Sequence, residues 1–157
     1  VLGRYRVEGR GEGGHARGLR DRCIVDGQGD ARSRVVIQEK DDQQFIHLQE
    51  KDGHRSFPIV IGFNEAAEIN RKLRGLDSPR PMTHDLTTRI LAAIDYKITK
   101  IIISDLKEST FYATLVVENQ DGEKGVDCRP SDAIALAVQT HARIYVARKV
   151  LDIVAPE

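Results

Sequence analysis

The chain has 157 residues, which fits one compact domain. Its 40% hydrophobic and 31% charged residues exclude general disorder. Twenty-four Lys and Arg balance 24 Asp and Glu, so no bulk field favours nucleic acid. The balance is uneven along the chain. Residues 1–34 hold eight Arg against five acids, and the rest carries a net charge of −3. Two Cys without C-x-x-C spacing exclude a disulfide framework and a thiolate zinc knuckle. No apolar run approaches the ~20 residues of a membrane helix, and no basic-then-apolar segment resembles a signal peptide. The expected location is the cytoplasm, away from membranes.

Residues 1–34 are rich in Gly and Arg and poor in apolar side chains, so a flexible tail is expected. Val35 to Ile37 and Phe45 to Leu48 read as strands joined by the turn pair Asp41-Asp42. Asp52-Gly53 turns the chain into Phe57 to Ile61, where Pro58 marks an edge or a strand start. Ala66, Ile69, Leu73 and Leu76 recur at helical spacing, with Glu68, Arg71, Lys72 and Arg74 as the polar face.

A Pro-rich connector, residues 77–81, leads to a second helix whose expected buried face is Leu86, Ile90, Leu91 and Ile94. Ile98 to Ile103 and Thr110 to Val117 read as strands, and Asp121-Gly122 turns into a third, Gly125 to Cys128. Ala133 to Val138 is apolar nearly all round and predicts a buried third helix. Arg143 to Val146 is a last strand, trailed by the apolar residues 150–154. The expected class is α+β: one domain, a mixed and mainly antiparallel sheet, and three helices on one face. The final strand–helix–strand passage predicts two parallel strands.

Two helix starts share one composition: Arg80-Pro81-Met82-Thr83-His84-Asp85 and Arg129-Pro130-Ser131-Asp132. Capping accounts for Pro, hydroxyl and carboxylate in both, with Thr83 and Ser131 as N-caps. It does not account for Arg80 and Arg129, because a cation is unfavourable at a helix N-terminus. Those guanidiniums suit phosphate, or else a carboxylate partner. Asp85 and Asp132 tolerate phosphate only with a divalent cation between them. His84 suits proton transfer near neutral pH, or is an ordinary first-turn residue. Glu65 and Glu68 lie a helical step apart and could face one cation; Asp105 and Asp127 lie at strand ends.

The succession of residues 57–62, Glu65-Ala66, 80–85, 103–106, 110–113 and 127–137 resembles the bifunctional nuclease (DNase/RNase) domain family over about residues 35–154. The resemblance implies nuclease activity on DNA and RNA and a homodimer or larger homo-oligomer. By motif match it carries over a polar cluster of Glu65, Arg80, Thr83, His84, Asp85, Asp127, Arg129, Ser131 and Asp132. Cys128 departs from the Ala usual in that motif, and Ile69 to Leu73 is more polar than expected of relatives.

On this reading His84, Asp85, Asp132, Arg80 and Arg129 are catalytic, and Thr83 and Ser131 touch substrate. Glu65, Asp85, Asp127 and Asp132 are the candidate ligands of Mg²⁺ or Mn²⁺. The expected substrate is single-stranded or loosely structured nucleic acid, since the acidic core disfavours tight duplex binding. The competing expectation is a non-catalytic, oligomeric binding module. Arg80 with Asp132, or Arg129 with Asp85, would then be mutual partners with no open cleft.

Overall fold

A computed structural model of the chain describes residues 6–9, 22–26, 35–50 and 54–156. The hairpin signal at Asp41-Asp42 forms as expected. Both residues have positive φ, 51° and 60°, so the turn twists with the strands it joins. It links β3 (Val35–Lys40) to β4 (Gln43–Gln49), and β4 pairs antiparallel with β5 (Ser56–Ile61). These three strands form their own sheet, and Pro58 lies on its edge strand. The Asp52-Gly53 turn lies outside the described residues.

After β5 the chain forms α1 (Phe63–Leu73) and α2 (Thr83–Ala93), then β6 (Lys97–Lys107), β7 (Thr110–Asn119) and β8 (Gly122–Cys128). Next come α3 (Pro130–Thr140), β9 (Arg143–Ala147) and α4 (Arg148–Val154). Within the segment read as a tail, β1 (Arg6–Gly9) and β2 (Arg22–Asp26) are strands; the remainder of residues 1–34 lies outside the described residues. The second sheet has the order β1-β2-β9-β6-β7-β8.

The fold corrects the expected architecture in two respects: among the described residues there are four helices and two sheets. Residues 150–154 are too few to show a period. They close α4, with Val150 and Leu151 buried while Asp152 and Ile153 face out. The single sheet fails because β5 pairs with β4 and ends the three-stranded sheet there, with no ladder to β6. Instead α1 packs on both β4 and α3, and Phe57 of β5 stacks on Phe111 of β7 at 5.9 Å.

β9 lies parallel to β6, and β8 runs the same way through the antiparallel β7. The two strands flanking α3 are therefore co-directional, with β6 and β7 standing between them. Ile101, Ile103, Ala113, Leu115, Ile144 and Val146 join α3 in one continuous core with Ile46, Leu48 and Ile69. Helix α3 is buried from Pro130 to Val138 apart from Asp132, as its apolar run predicts.

Helix α2 differs from expectation. None of its residues is buried, and Leu86, Ile90 and Ile94 are each about half exposed. Only Leu91 of the expected apolar face packs on the core. Leu76 lies beyond α1 and is exposed as well.

Candidate functional site

The starts of α2 and α3 meet. Thr83 is the first residue of α2, so the N-cap is Met82; Arg129 is the N-cap of α3 and Ser131 its second residue. Thr83 and Ser131 are thus not the caps that composition suggests. At α2 the capping is done by Asp85, whose Oδ2 accepts the Met82 N–H at 2.9 Å. At α3 no side chain caps the end, and Pro130 takes the first helical position.

Between these helix starts and the N-terminal half of α1 lies a cleft of about 450 Å³, bordered by Glu65, Glu68, Thr83, His84, Arg129 and Asp132. Arg129 donates through Nε and Nη2 to the two oxygens of Asp132, at 2.8 and 3.0 Å. Its Nη1 donates to Glu65 Oε1 at 3.1 Å. Across the cleft, His84 Nε2 lies 3.1 Å from Asp132 Oδ1, and His84 Nδ1 lies 3.6 Å from Glu68 Oε1. The imidazole is therefore held between carboxylates of two other helices.

A second layer stands behind His84. Arg71 donates to both oxygens of Glu68, at 3.0 and 2.9 Å, and to Asp85 Oδ2 at 3.2 Å. Lys72 is hydrogen-bonded to Asp85 as well. Composition reads Arg71 and Lys72 as a solvated face; in the fold they tie α1 to the start of α2. Only the part within α1 was present in the spacing, where Glu68 and Lys72 fall four apart on one helical face.

The ionisation of these carboxylates follows from their partners. Burial opposes ionisation of Asp85, but Lys72, the Met82 N–H and Arg71 outweigh it and bring its pKa to about 2. Burial likewise resists the charge on Asp132, and Arg129 with His84 overcomes it, leaving the pKa lowered. Glu68 is lowered chiefly by Arg71. Glu65 is lowered first by its own backbone N–H and then by Arg129. Burial, followed by Asp132 and Asp127, raises the Cys128 thiol to about 11, which leaves it a poor nucleophile.

Three candidate residues are not brought in. Arg80 is exposed and touches none of the cluster. Asp127 sits on β8 opposite Thr114, exposed and away from the cleft. Asp85 belongs to the second layer, bound to Arg71 and Lys72. The set Glu65, Asp85, Asp127 and Asp132 is thus not gathered for Mg²⁺ or Mn²⁺. Among the described residues no three His, Cys, Asp or Glu side chains are grouped to hold a metal ion. These residues do not fit the ion as a ligand set, and the chemistry below uses only groups of this chain.

Gly62 was not singled out by composition, yet it sets the position of Glu65. It is the N-cap of α1, and a Cβ added there meets the Glu65 carboxylate. Gly62→Ala is expected to displace that carboxylate and break the Glu65–Arg129 pair. Because only a flexible carboxylate must move, the cost in stability is about 1 kcal/mol or less. Thermal unfolding together with a crystal structure of the variant checks both points; an unmoved Glu65 would contradict the argument.

An α+β domain with a His–carboxylate–Arg cluster where two helix starts meet is the class defined by this geometry. The chain belongs to the bifunctional nuclease domain family, whose model matches residues 46–156. It is 39% identical over 117 residues, 74% of this chain and 70% of theirs, to uncharacterized proteins of Mycobacterium tuberculosis strains H37Rv and CDC 1551. It is 24% identical over 109 residues to Bifunctional nuclease 1 of Oryza sativa subsp. indica, covering 67% of this chain and 33% of the rice protein. Among the described residues no helix is long and apolar enough to cross a membrane.

Proposed function

We propose that the domain hydrolyses phosphodiester bonds in single-stranded or loosely structured DNA and RNA, with little sequence preference. The observation that carries this reading is the His84–Asp132 contact across two helix starts in an open cleft. With Nε2–H donating to Asp132, the Nδ1 lone pair, 3.6 Å from Glu68 Oε1, takes a proton from water at the cleft. The water oxygen bonds to phosphorus, the P–O bond to the leaving sugar oxygen breaks, and that oxygen takes a proton from solvent. Asp132 and Glu68 then stabilise the imidazolium from both sides. Arg129, partly exposed beside them, supplies guanidinium donors to a phosphoryl oxygen once its fork loosens from a carboxylate. Thr83 and Ser131 offer hydroxyls at the cleft and beside it.

The protein is proposed to work in the cytoplasm as a homodimer or larger homo-oligomer. A sedimentation mass equal to one chain would refute the oligomer. The competing module reading expects Arg80–Asp132 or Arg129–Asp85 pairs and a sealed surface. Arg129 pairs instead with Asp132 and Glu65, and the cleft is open, which favours the hydrolytic reading. The deciding experiment is cleavage of labelled single-stranded DNA and RNA by the wild type and by His84→Ala and Asp132→Asn. Each is assayed with chelator and with added Mg²⁺ or Mn²⁺, so that any need for a divalent ion is measured directly.

A further inference from the structure

Beyond the Arg129–Glu65 pair lies a second recess of about 490 Å³, walled by Ile59 and Ile61 of β5, Phe111 of β7 and Pro130. Arg129 and Glu65 border both this recess and the His84 cleft, so their ion pair is the partition between the two. Ser131 lines the recess but not the cleft. It is 7% exposed, and its hydroxyl has no hydrogen-bond partner among the described residues. The oxygen still reaches the solvent of the recess and is open to a ligand there; the described side-chain atoms that are sealed without a partner are Asn70 Oδ1 and Gln139 Oε1.

The backbone at the start of α3 adds donors beside that hydroxyl. Helix α3 has 11 residues and no side-chain cap. The N–H groups of Ser131 and Asp132 therefore have no acceptor within the helix, and they lie at its positive end. The Ser131 hydroxyl and these two amides belong to one helix start at the recess, with Arg129 alongside. Arg129 is shared between two carboxylates, Glu65 and Asp132, so an anion entering here has to draw the guanidinium away from one of them. Ile59, Ile61, Phe111 and Pro130 give the recess apolar walls for a sugar and base.

We infer that this recess binds one nucleotide unit of the substrate strand. Its phosphate sits on Ser131 and the first turn of α3, and its sugar and base lie against Ile59, Phe111 and Pro130. The inference rests on the nuclease reading for its substrate class and adds a subsite next to the reacting bond. Binding there engages Arg129 from the side opposite His84, so one guanidinium touches consecutive phosphates.

The test titrates AMP, inorganic phosphate and adenosine into the full chain while following backbone amide resonances. AMP is expected to shift Ser131 and Asp132 and to bind several-fold more tightly than phosphate. Ser131→Ala is expected to weaken AMP about tenfold, the loss of one hydrogen bond to a charged group. Thr110→Trp, placed at the exposed rim of the recess, is expected to weaken AMP at least as much without lowering the melting temperature. Shifts confined to the His84 side, or AMP affinity untouched by Thr110→Trp, would overturn the subsite. Phosphate binding as tightly as AMP would overturn the nucleotide assignment. AMP bound at Ser131 by a protein that cleaves nothing would retain the recess and sink the nuclease reading alone. Cleavage without any AMP shift would do the reverse.

Discussion

His84→Ala is expected to reduce cleavage of single-stranded DNA and RNA by about 10²–10⁴-fold, the range for losing a positioned general base. The fold should be retained, because the contacts that hold His84 are polar and it sits on a helix without a fully buried residue. Asp132→Asn separates orientation from charge. Asn keeps a hydrogen bond to Nε2 or to Arg129, but it removes the charge that stabilises the imidazolium. Cleavage should therefore fall by about 10²-fold or more. A steady-state assay with matched melting curves decides the matter. Full activity in either variant would exclude the proposed proton transfer. Loss of activity with loss of folding would indicate a structural cluster instead.

Asp85→Asn is expected to act on stability. The change leaves Lys72, whose side chain is only 7% exposed, with Glu68 at 3.7 Å as its remaining partner. It also weakens the acceptor at the start of α2. Breaking a partly buried pair of this kind costs about 2 kcal/mol, which lowers Tm by roughly 5 °C in a chain of this size. The pH dependence gives the sign. Folding depresses the Asp85 pKa from 3.8 to about 2, so its stabilisation is complete above about 4 and is lost as pH falls through 2. Denaturant midpoints of wild type and variant should converge over that interval and stay apart at neutral pH. A gap that did not narrow on acidification would assign the loss to something other than this carboxylate.

The strands from Val35 onward, the hairpins at Asp41-Asp42 and Asp121-Gly122, and the buried α3 were legible because each depends on local pattern; β1 and β2, in the segment read as a tail, were not. Asp41-Asp42 can both adopt positive φ, and Ala133 to Val138 offers no polar side to solvent. The class α+β followed from that, whereas the grouping of Glu65, Thr83, His84, Arg129 and Asp132 was expected from the family resemblance and not from local pattern. What was not legible depends on long-range partners. The sequence carries no sign that Asp85 would spend its charge on Lys72, 13 residues earlier, and leave the cleft. Nor does it show that Arg80 would be left exposed while Arg129, in the same motif, closes on Glu65. Leu86, Ile90 and Ile94 have the spacing of a buried face, but spacing cannot say whether a chain segment is available to cover them. Helix α4 was missed for want of length, and Gly62 because its role is to leave room for a side chain three residues on.

The uneven burial of the two helices that build the cleft has a mechanical consequence. Asp132 is anchored in a helix surrounded by the core, whereas His84 rides on one with no buried residue. Local opening is cheapest where the least apolar contact is lost, so amide exchange should be markedly faster in α2 than in α3. The width of the cleft is then governed by one compliant jaw closing on a fixed anvil, and the proposed substrate strand would enter by yielding of the His84 side.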